Sequence, residues 1–348
     1  MATAARTRPL HRRLGETAAG NAGAWVVLAF VVAALASSRA AGHTLSPEAL
    51  VAIVAVAAAA SSFTGSIAGL YGGASEVLTG VAELDCSPHC PAAPAGDPWT
   101  APALWRTALR WAAVAGAWAL AAAGLVAIVL DGKHAGLGVT FITIVGLSGV
   151  AAVVADTVAR HRGAHAARRL LVEPPVAVPL RRRAWRQIAL PLAVLPTVVS
   201  GLFAWVLFHD YAVHEPFAPR ALTRSVVLAD VPVTVLLLVL VFTVLYARPW
   251  GEVDARLGHI RLDDLESQVV SAKSSIGVQG IVYAALASWL LAAVVGWVLP
   301  SNPALWQAMV ARGVYAGVLT FVFSGIAYVR GAVNALAVDT PSPSEAAA

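Results

Sequence analysis

The sequence predicts an all-α, polytopic integral membrane protein with about eight transmembrane helices arranged as four hairpins. Hydrophobic residues make up 59% of the 348 residues and charged residues only 12%, whereas about 25% of the residues in a soluble domain are charged. About eight apolar stretches are long enough to cross a hydrocarbon core of about 30 Å, which takes roughly 20 helical residues. The positions of the arginines give these stretches an orientation.

The predicted spans follow one another within a single transmembrane domain, residues 22–335. They are 22–38, 48–70, 108–130, 138–158, 188–208, 226–247, 276–299 and 308–329. Each span is predicted to be a helix because lipid offers no partner to backbone N–H and C=O groups, which a helix satisfies internally. Residues 1–21 are predicted to form a basic cytoplasmic tail, and residues 336–348 a disordered cytoplasmic tail.

Arginine and lysine are concentrated in alternate loops of this arrangement. The N-terminal tail, the loops after spans two, four and six, and the end of span eight hold nineteen of the 24 Lys and Arg residues. The loops on the opposite side hold four: Arg39, Lys133, Arg220 and Arg224. Since positive residues in short loops mark the cytoplasmic side, both termini are predicted to be cytoplasmic, and the membrane to be a bacterial inner (plasma) membrane.

The net charge of +5 has an explanation that does not involve nucleic acid. The arginines flank the spans, where they set the orientation and meet anionic lipid headgroups, so the predicted partner is the lipid bilayer. No loop is long enough to form a sizeable soluble domain, and the sequence contains no P-loop. An ATP-driven role would therefore require a separate subunit.

Two consecutive hairpins, spans three and four and spans five and six, have similar flanking residues. The matching flanks are Trp105-Arg106 with Trp185-Arg186, and Ala159-Arg160 followed by Arg168 with Ala247-Arg248 followed by Arg256. Repeats of an even number of spans share one orientation, as in some transporters. The pattern predicts a duplicated hairpin, and chance similarity within an apolar sequence is the alternative.

The cytoplasmic segment 252–272 differs from a plain linker. Its apolar residues recur at near-helical spacing with charged residues between them: Val253, Leu257, Ile260, Leu265 and Val269. This spacing predicts an amphipathic helix lying on the cytoplasmic face of the membrane. The helix would either cover the gap between two spans or dock a cytoplasmic partner.

Cys86, His89 and Cys90 place two thiols and an imidazole within five residues. Zinc and copper accept such ligands, but a structural zinc site usually takes four, and the sequence has no second pair of cysteines. One alternative is a reversible redox pair of thiols. The other is a loop whose cysteines have no special role.

The predicted outer turns contain four further candidate ligands for a metal ion: Asp131, His134, Asp210 and His214. Imidazole together with carboxylate binds divalent metals, and histidine titrates between about pH 5 and 8. These turns would therefore serve as a metal-entry site or a pH sensor. Alternatively, their polarity reflects only their place at the membrane surface.

Charged residues also lie near the ends of predicted spans. Asp230 in span six and Arg312 in span eight are each about one turn inside the outer surface. They would either extend to water or pair with each other and gate an external vestibule. Near the cytoplasmic end of span four, the spacing of Asp156 and Arg160 predicts a local ion pair.

Span two carries Gly65, Gly69 and Gly73 at intervals of four residues. Small residues at this spacing let two helices approach closely. The sequence leaves open whether the second helix belongs to the same chain or to a partner in a homo- or hetero-oligomer.

Prolines interrupt the hydrogen bonding of spans five and six. Pro191 and Pro196 lie in span five and Pro232 in span six, and proline removes a backbone donor from a helix. Interrupted helices often frame the substrate site of a transporter. A cavity near these spans is therefore predicted, with Ser200 facing it or close to it.

Three functions follow from these features as alternatives. The first is a membrane-embedded transport component, or permease-like subunit, working with a cytoplasmic partner. The second is a non-catalytic scaffold or regulatory subunit of a larger membrane complex, which the closely spaced glycines suit. The third is a membrane enzyme that acts on a lipid through outer-face His and Asp residues. No catalytic residue is assigned, and no cofactor is clearly implied.

Overall fold

The computed structural model describes residues 47–79, 97–130, 137–173, 175–213, 224–228, 247–261 and 278–338. About 89% of these residues are helical, which confirms the predicted all-α class. The chain divides into two compact units, Met1–Glu173 (unit 1) and Pro174–Ala348 (unit 2). Each unit has its own central helix, against which its other helices pack.

Unit 1 contains three long helices with α1 at its centre. The helices are α1 (Pro47–Leu78), α2 (Ala101–Leu130) and α3 (Leu137–Val172). α1 packs along both α2 and α3, whereas α2 and α3 make few contacts with each other. Large apolar side chains of α2 are exposed, for example Ile128 at 74%, and such a surface suits the hydrocarbon core of a bilayer.

Unit 2 is arranged around its last helix, α8. Its elements are β1 (Val178–Pro179), a π-helix (Arg182–Ala189), α4 (Leu190–Val213), α5 (Arg224–Leu228), α6 (Arg248–Arg256), β2 (Ile260–Arg261), α7 (Val278–Val298) and α8 (Leu305–Val338). α8 packs against the π-helix, α4, α6 and, less extensively, α7. The short strands β1 and β2 pair in parallel, with Val178 opposite Ile260.

Five described helices are long and apolar enough to cross a membrane: α1, α2, α3, the π-helix continued by α4, and α8. The predicted spans 48–70, 108–130, 138–158, 188–208 and 308–329 fall within them, and α7 matches span 276–299. The prediction of several apolar helices of membrane-spanning length is thus confirmed. Span 22–38 and most of span 226–247 lie outside the described residues, so the total of eight and the cytoplasmic termini stay predictions.

α3 is longer than the span that the sequence predicted. Its 36 residues correspond to about 54 Å at the rise of an α-helix, well beyond a hydrocarbon core of about 30 Å. The extra turns follow residue 158 and carry the arginines from which a cytoplasmic side was predicted. The helix ends at Val172, just before Pro174 and Pro175 in the sequence, because proline disfavours a helical conformation of the residue before it.

Segment 252–272 does not form the single amphipathic helix that its spacing predicted. α6 ends at Arg256, and Gly258 has a φ of +77°, a left-handed conformation that glycine adopts without steric cost. β2 follows at Ile260. The apolar residues Val253 and Leu257 are buried, and α6 packs on α8 within unit 2. Residues 262–272 lie outside the described part of the chain.

The glycine stripe of α1 packs against α3 of the same chain. Successive contacts lie four residues apart on each helix and join Gly65 to Ala152, Gly69 to Asp156 and Gly73 to Arg160. The two helices therefore run parallel with their backbones in contact. α3 of the same chain occupies this surface, so the intramolecular alternative is the one observed here, and the oligomer contact stays a prediction.

At the end of this contact in unit 1, each helix places a glycine against the backbone of the other, an arrangement that we call a glycine interlock. A Cβ atom on Gly73 of α1 would overlap the carbonyl oxygen of Arg160 in α3. In the opposite direction, a Cβ atom on Gly163 of α3 would overlap the carbonyl oxygen of Leu70 in α1. Each helix thus supplies one glycine that contacts the backbone of the other helix.

The same interlock joins α6 and α8 in unit 2. A Cβ atom on Gly331 of α8 would overlap the carbonyl oxygen of Arg248 in α6, and one on Gly251 of α6 would overlap that of Tyr328 in α8. The α8 residues follow their α1 counterparts by 258 positions, and the α6 residues follow their α3 counterparts by 88. α6 therefore corresponds to the end of α3, and α8 corresponds to α1.

An aromatic contact repeats in the same way. Phe63 of α1 and Trp105 of α2 have ring centroids 5.8 Å apart, and Phe321 of α8 and Trp185 of the π-helix have centroids 5.1 Å apart. The phenylalanines are again 258 positions apart, and the tryptophans are 80 apart. These contacts involve the Trp-Arg and Ala-Arg flanks from which the duplication was predicted, and they extend the correspondence to α1 and α8.

Candidate functional site

Charged and polar side chains are buried in unit 2 around Asp254 of α6. Asp254 is 0% exposed, Arg183 is 2% exposed and His259 is 4% exposed. The Nε of Arg183 donates a hydrogen bond to Asp254 Oδ2 over 2.8 Å, and the hydroxyl of Tyr328 donates to the same oxygen. These four residues, the Asp254 cluster, connect the π-helix, α6 and α8.

The turn after α6 places His259 beside Asp254. Gly258 has a left-handed conformation just after α6, and the backbone N–H of His259 donates to the backbone carbonyl of Asp254 over 2.9 Å. His259 Nδ1 then lies 3.6 Å from Asp254 Oδ1. The carbonyl oxygen of His259 accepts a hydrogen bond from the N–H of Val178 over 2.9 Å, which links the turn to β1.

Arg183 belongs to the π-helix that precedes α4. At the end of this element the N–H of Leu190 donates to the carbonyl of Trp185, five residues earlier, instead of four as in an α-helix. The next residue, Pro191, has no N–H with which to continue the wider pattern, and the chain returns to α-helix. Such π-turns occur frequently at functional sites. Here the Nη1 of Arg183 also donates to Gln187 Oε1 over 3.1 Å.

The Asp254 cluster has no counterpart at the equivalent positions of unit 1 that the structure describes, although the two units share their helix contacts. The positions equivalent to its arginine, aspartate and tyrosine are apolar: Ala103, Ala166 and Leu70. Burying an ion pair costs about as much in lost hydration as its attraction returns, so apolar residues often stabilise a core equally well. Since the shared packing does not require these charges, they are the strongest candidates for a functional role.

In unit 1, Arg160 lies between two carboxylates where α1 meets α3. Its Nη1 donates to Glu76 Oε1 over 2.8 Å, and its Nη2 lies 3.4 Å from Asp156 Oδ1. The pair of Arg160 and Asp156 confirms the ion pair that the sequence predicted. The contact with Glu76 was not predicted, because it joins residues 84 positions apart.

Replacing Arg160 by methionine is expected to lower the free energy of unfolding by about 1.5 to 3 kcal/mol, the net contribution of hydrogen bonds to charged groups. The loss arises because the Asp156 side chain, which is 3% exposed, keeps its burial and loses its counter-charge. Thermal unfolding of the full chain in mild detergent measures the effect. Arg162→Met, at an exposed position two residues away, is the control and should change little; equal losses in both variants would contradict the assignment.

No known protein family, curated protein or solved structure matches this chain. Its candidate sites therefore rest on its own residues, including those that the sequence predicted.

Pro191 is the second residue of α4, and Pro196 lies inside the helix, where the carbonyl four residues earlier lacks its usual donor. Ser200 is buried one turn later. Thr197 donates its hydroxyl hydrogen to the carbonyl oxygen of Ala193 over 2.8 Å.

Arg312 is buried near the beginning of α8. Its exposure is only 6%, because protein covers most of its side chain, and this burial does not favour the alternative in which the side chain extends to water. Asp230, its predicted partner, lies outside the described residues. Pairing between the two residues therefore stays a prediction.

Most of the predicted metal ligands lie outside the described residues: Cys86, His89, Cys90, Asp131, His134 and His214. Asp210 was predicted in an outer turn and instead lies within α4, which continues to Val213. In the part of the chain that the structure describes, no group of three or more His, Cys, Asp or Glu residues could hold a metal ion. The predicted metal sites thus stay predictions.

The sequence did not indicate the Asp254 cluster. The arginine run around Arg183 predicted orientation, and the spacing around Asp254 predicted an amphipathic helix; neither pattern specifies an ion pair. The usable signal lies in the repeat. When the two hairpins are aligned, two alanines of the first correspond to charged residues of the second. Ala103 corresponds to the positive Arg183, and Ala166 corresponds to the negative Asp254.

Proposed function

We propose that the protein is a membrane-embedded transport component, a permease-like subunit of a bacterial inner membrane with both termini in the cytoplasm. The observation that carries the proposal is the repeated packing of the two units, with matching glycine interlocks and matching Phe–Trp contacts. Transporters are frequently built from internal repeats, with the substrate site formed by interrupted helices. Unit 2 differs from unit 1 by the Asp254 cluster, which gives the repeats distinct roles.

The contact between α4 and α8 is the proposed place of the substrate pathway. α4 contains Pro196, and the next residue packs on α8 so closely that a Cβ atom on Gly313 would lie 2.7 Å from the carbonyl oxygen of Thr197. A helix that lacks one hydrogen bond bends at lower cost there. Ser200 supplies a buried hydroxyl on the same helix.

α6 provides the proposed contact for a cytoplasmic partner within segment 252–272. α8 covers its apolar side, and its other side presents Glu252 and Arg256, which form an exposed ion pair over 2.7 Å. Paired charges on a short helix suit a polar, reversible contact with another protein. An ATPase docking here would supply the P-loop that this sequence lacks.

Cysteine accessibility tests the transport proposal without knowledge of the substrate. In a Cys86→Ser/Cys90→Ser background, Ser200→Cys is expected to react with a charged, membrane-impermeant thiol reagent from both sides of the membrane. The reason is that a transport pathway opens to each side in turn. Labelling is compared in right-side-out and inverted vesicles. Val198→Cys is the matched control, because this position is 52% exposed on the same helix and would face lipid, where a charged reagent does not enter.

Labelling of Ser200→Cys from one side at most, in a variant that melts at the parental temperature, would contradict a transport pathway along α4. That result would favour the second candidate, a non-catalytic scaffold or regulatory subunit. The glycine interlocks support this candidate, because helices with touching backbones resist separation. Purification in mild detergent distinguishes the two: stoichiometric membrane proteins support a scaffold, and a stoichiometric ATPase supports a permease.

A further inference from the structure

Two histidines form a pair on the part of α3 that extends beyond the predicted span. His161 and His165 are four residues apart, so both lie on one face of the helix. Their Nε2 atoms are 3.2 Å apart, and the ring centroids are 4.5 Å apart with the ring planes at 79°. Both side chains are half-buried, which leaves them accessible to small ions.

The separation of the two Nε2 atoms suits a shared metal ion. Two ligands on a tetrahedral zinc ion, each with a metal–nitrogen distance of about 2.0 to 2.1 Å, lie roughly 3.3 to 3.4 Å apart. A hydrogen bond between the rings requires that one Nε2 accepts, so at least one lone pair already points to the space between the rings. Histidines at this spacing on one helix face also bind zinc in the His-Glu-x-x-His motif.

We propose that His161 and His165 bind one divalent transition-metal ion through their Nε2 atoms, with water completing its coordination. Imidazole is the ligand that zinc, copper and nickel share, whereas magnesium and calcium prefer oxygen. In the described part of the chain, no third His, Cys, Asp or Glu residue joins the pair. Among the described residues, the two imidazoles are thus the protein ligands that we assign to the ion.

The surrounding charges permit a divalent cation. Four arginines lie within five residues of the pair along α3, but two of them are neutralised. Arg160 contacts Glu76 and Asp156, and Arg169 lies 3.7 Å from Glu173. The other two are Arg162, which is exposed, and Arg168, which is half-buried. Both lie close to the pair on the same helix, so their charges weaken the binding of a cation.

Zinc titration of the full chain in mild detergent tests the site. The protein carries Cys86→Ser/Cys90→Ser so that thiols cannot contribute, and Zn²⁺ is added in competition with a chromophoric chelator. One Zn²⁺ per chain is expected. Since loss of a group that merely supports a metal ligand costs about 10- to 100-fold in affinity, His161→Ala or His165→Gln should weaken binding at least tenfold. Arg162→Ala, on the same turn, should retain it.

A second readout identifies the ligands. Cu²⁺ bound to the same background should show electron paramagnetic resonance splitting from two imidazole nitrogens, and His165→Gln should reduce it to one. Melting temperatures without metal are compared first, to ensure that the variants fold. Zinc binding that is absent from the cysteine-free background, or unchanged in His161→Ala/His165→Gln, would overturn the proposal; in the second case the ion is held by other histidines of the chain.

Discussion

Asp254→Asn is expected to lower the free energy of unfolding by about 3 to 5 kcal/mol, the usual effect of removing one partner of a buried ion pair. The side chains of Arg183 and Asp254 are 3% and 0% exposed, so the guanidinium would remain buried without its counter-charge. The hydroxyl of Tyr328 would lose a charged acceptor in the same step. Thermal or detergent-induced unfolding of the purified full chain measures the loss.

The matched control lies on the same helix. Glu252 and Arg256 form an ion pair whose side chains are 45% and 34% exposed, and exposed pairs contribute at most about 1 kcal/mol. Glu252→Gln should therefore change stability little. A loss in Asp254→Asn no larger than in Glu252→Gln would mean that the Asp254 cluster is hydrated rather than buried.

The double variant Arg183→Met/Asp254→Leu separates stability from function. Apolar residues of similar size remove both charges, so this variant is expected to be more stable than Asp254→Asn. Unit 1 already has apolar residues at the equivalent positions, Ala103 and Ala166. A stable double variant that no longer shows two-sided labelling of Ser200→Cys would assign the charges to the transport cycle.

Gly73→Ala is expected to destabilise the protein by about 1 to 3 kcal/mol, the usual cost of adding a methyl group to a close-packed contact. The new Cβ atom would overlap the carbonyl oxygen of Arg160, and a backbone atom cannot move aside as a flexible side chain can. Gly331→Ala in unit 2 should have an effect of the same sign, since its Cβ atom would overlap the carbonyl oxygen of Arg248.

Gly146→Ala serves as the control with the opposite expected sign. A Cβ atom at this position of α3 would have no neighbour within 4 Å, and alanine is favoured over glycine in a helix by up to about 1 kcal/mol. Stability should stay unchanged or rise. If Gly73→Ala and Gly146→Ala shifted the melting temperature equally, the backbone contact between α1 and α3 would be wrong.

The sequence predicted the helices well because length and apolarity are local properties. α1, α2 and α3 each contain their predicted span and are longer than it, since hydropathy marks the apolar part of a helix and not the turns that flank it. Spacing also predicted that Gly65, Gly69 and Gly73 permit close approach. The spacing could not identify α3 as the partner helix, because a row of small residues allows close approach to any helix that also carries small residues.

The Asp254 cluster shows where local patterns fail. Arg183 and Asp254 are 71 positions apart, and each has charged neighbours in sequence that give it an ordinary explanation. α6 ends just before Gly258, which has a left-handed conformation. A prediction from the spacing of apolar residues takes no account of such a glycine. The π-helix was not predicted either. Helix propensity and hydropathy do not distinguish backbone hydrogen bonds between residues five apart from those between residues four apart.

The central helix of unit 1 is synthesised before the helices that pack on it, whereas the central helix of unit 2 is synthesised after them. α1 leaves the ribosome before α2 and α3, so each later helix of unit 1 meets a finished surface. α8 leaves the ribosome after α4 and α6, so Arg183 and Asp254 are inserted before Tyr328 and Gly331 exist. Unit 2 therefore assembles only when translation has reached its last helix, and a stop codon just before Leu305 would leave the earlier helices of unit 2 without their central helix.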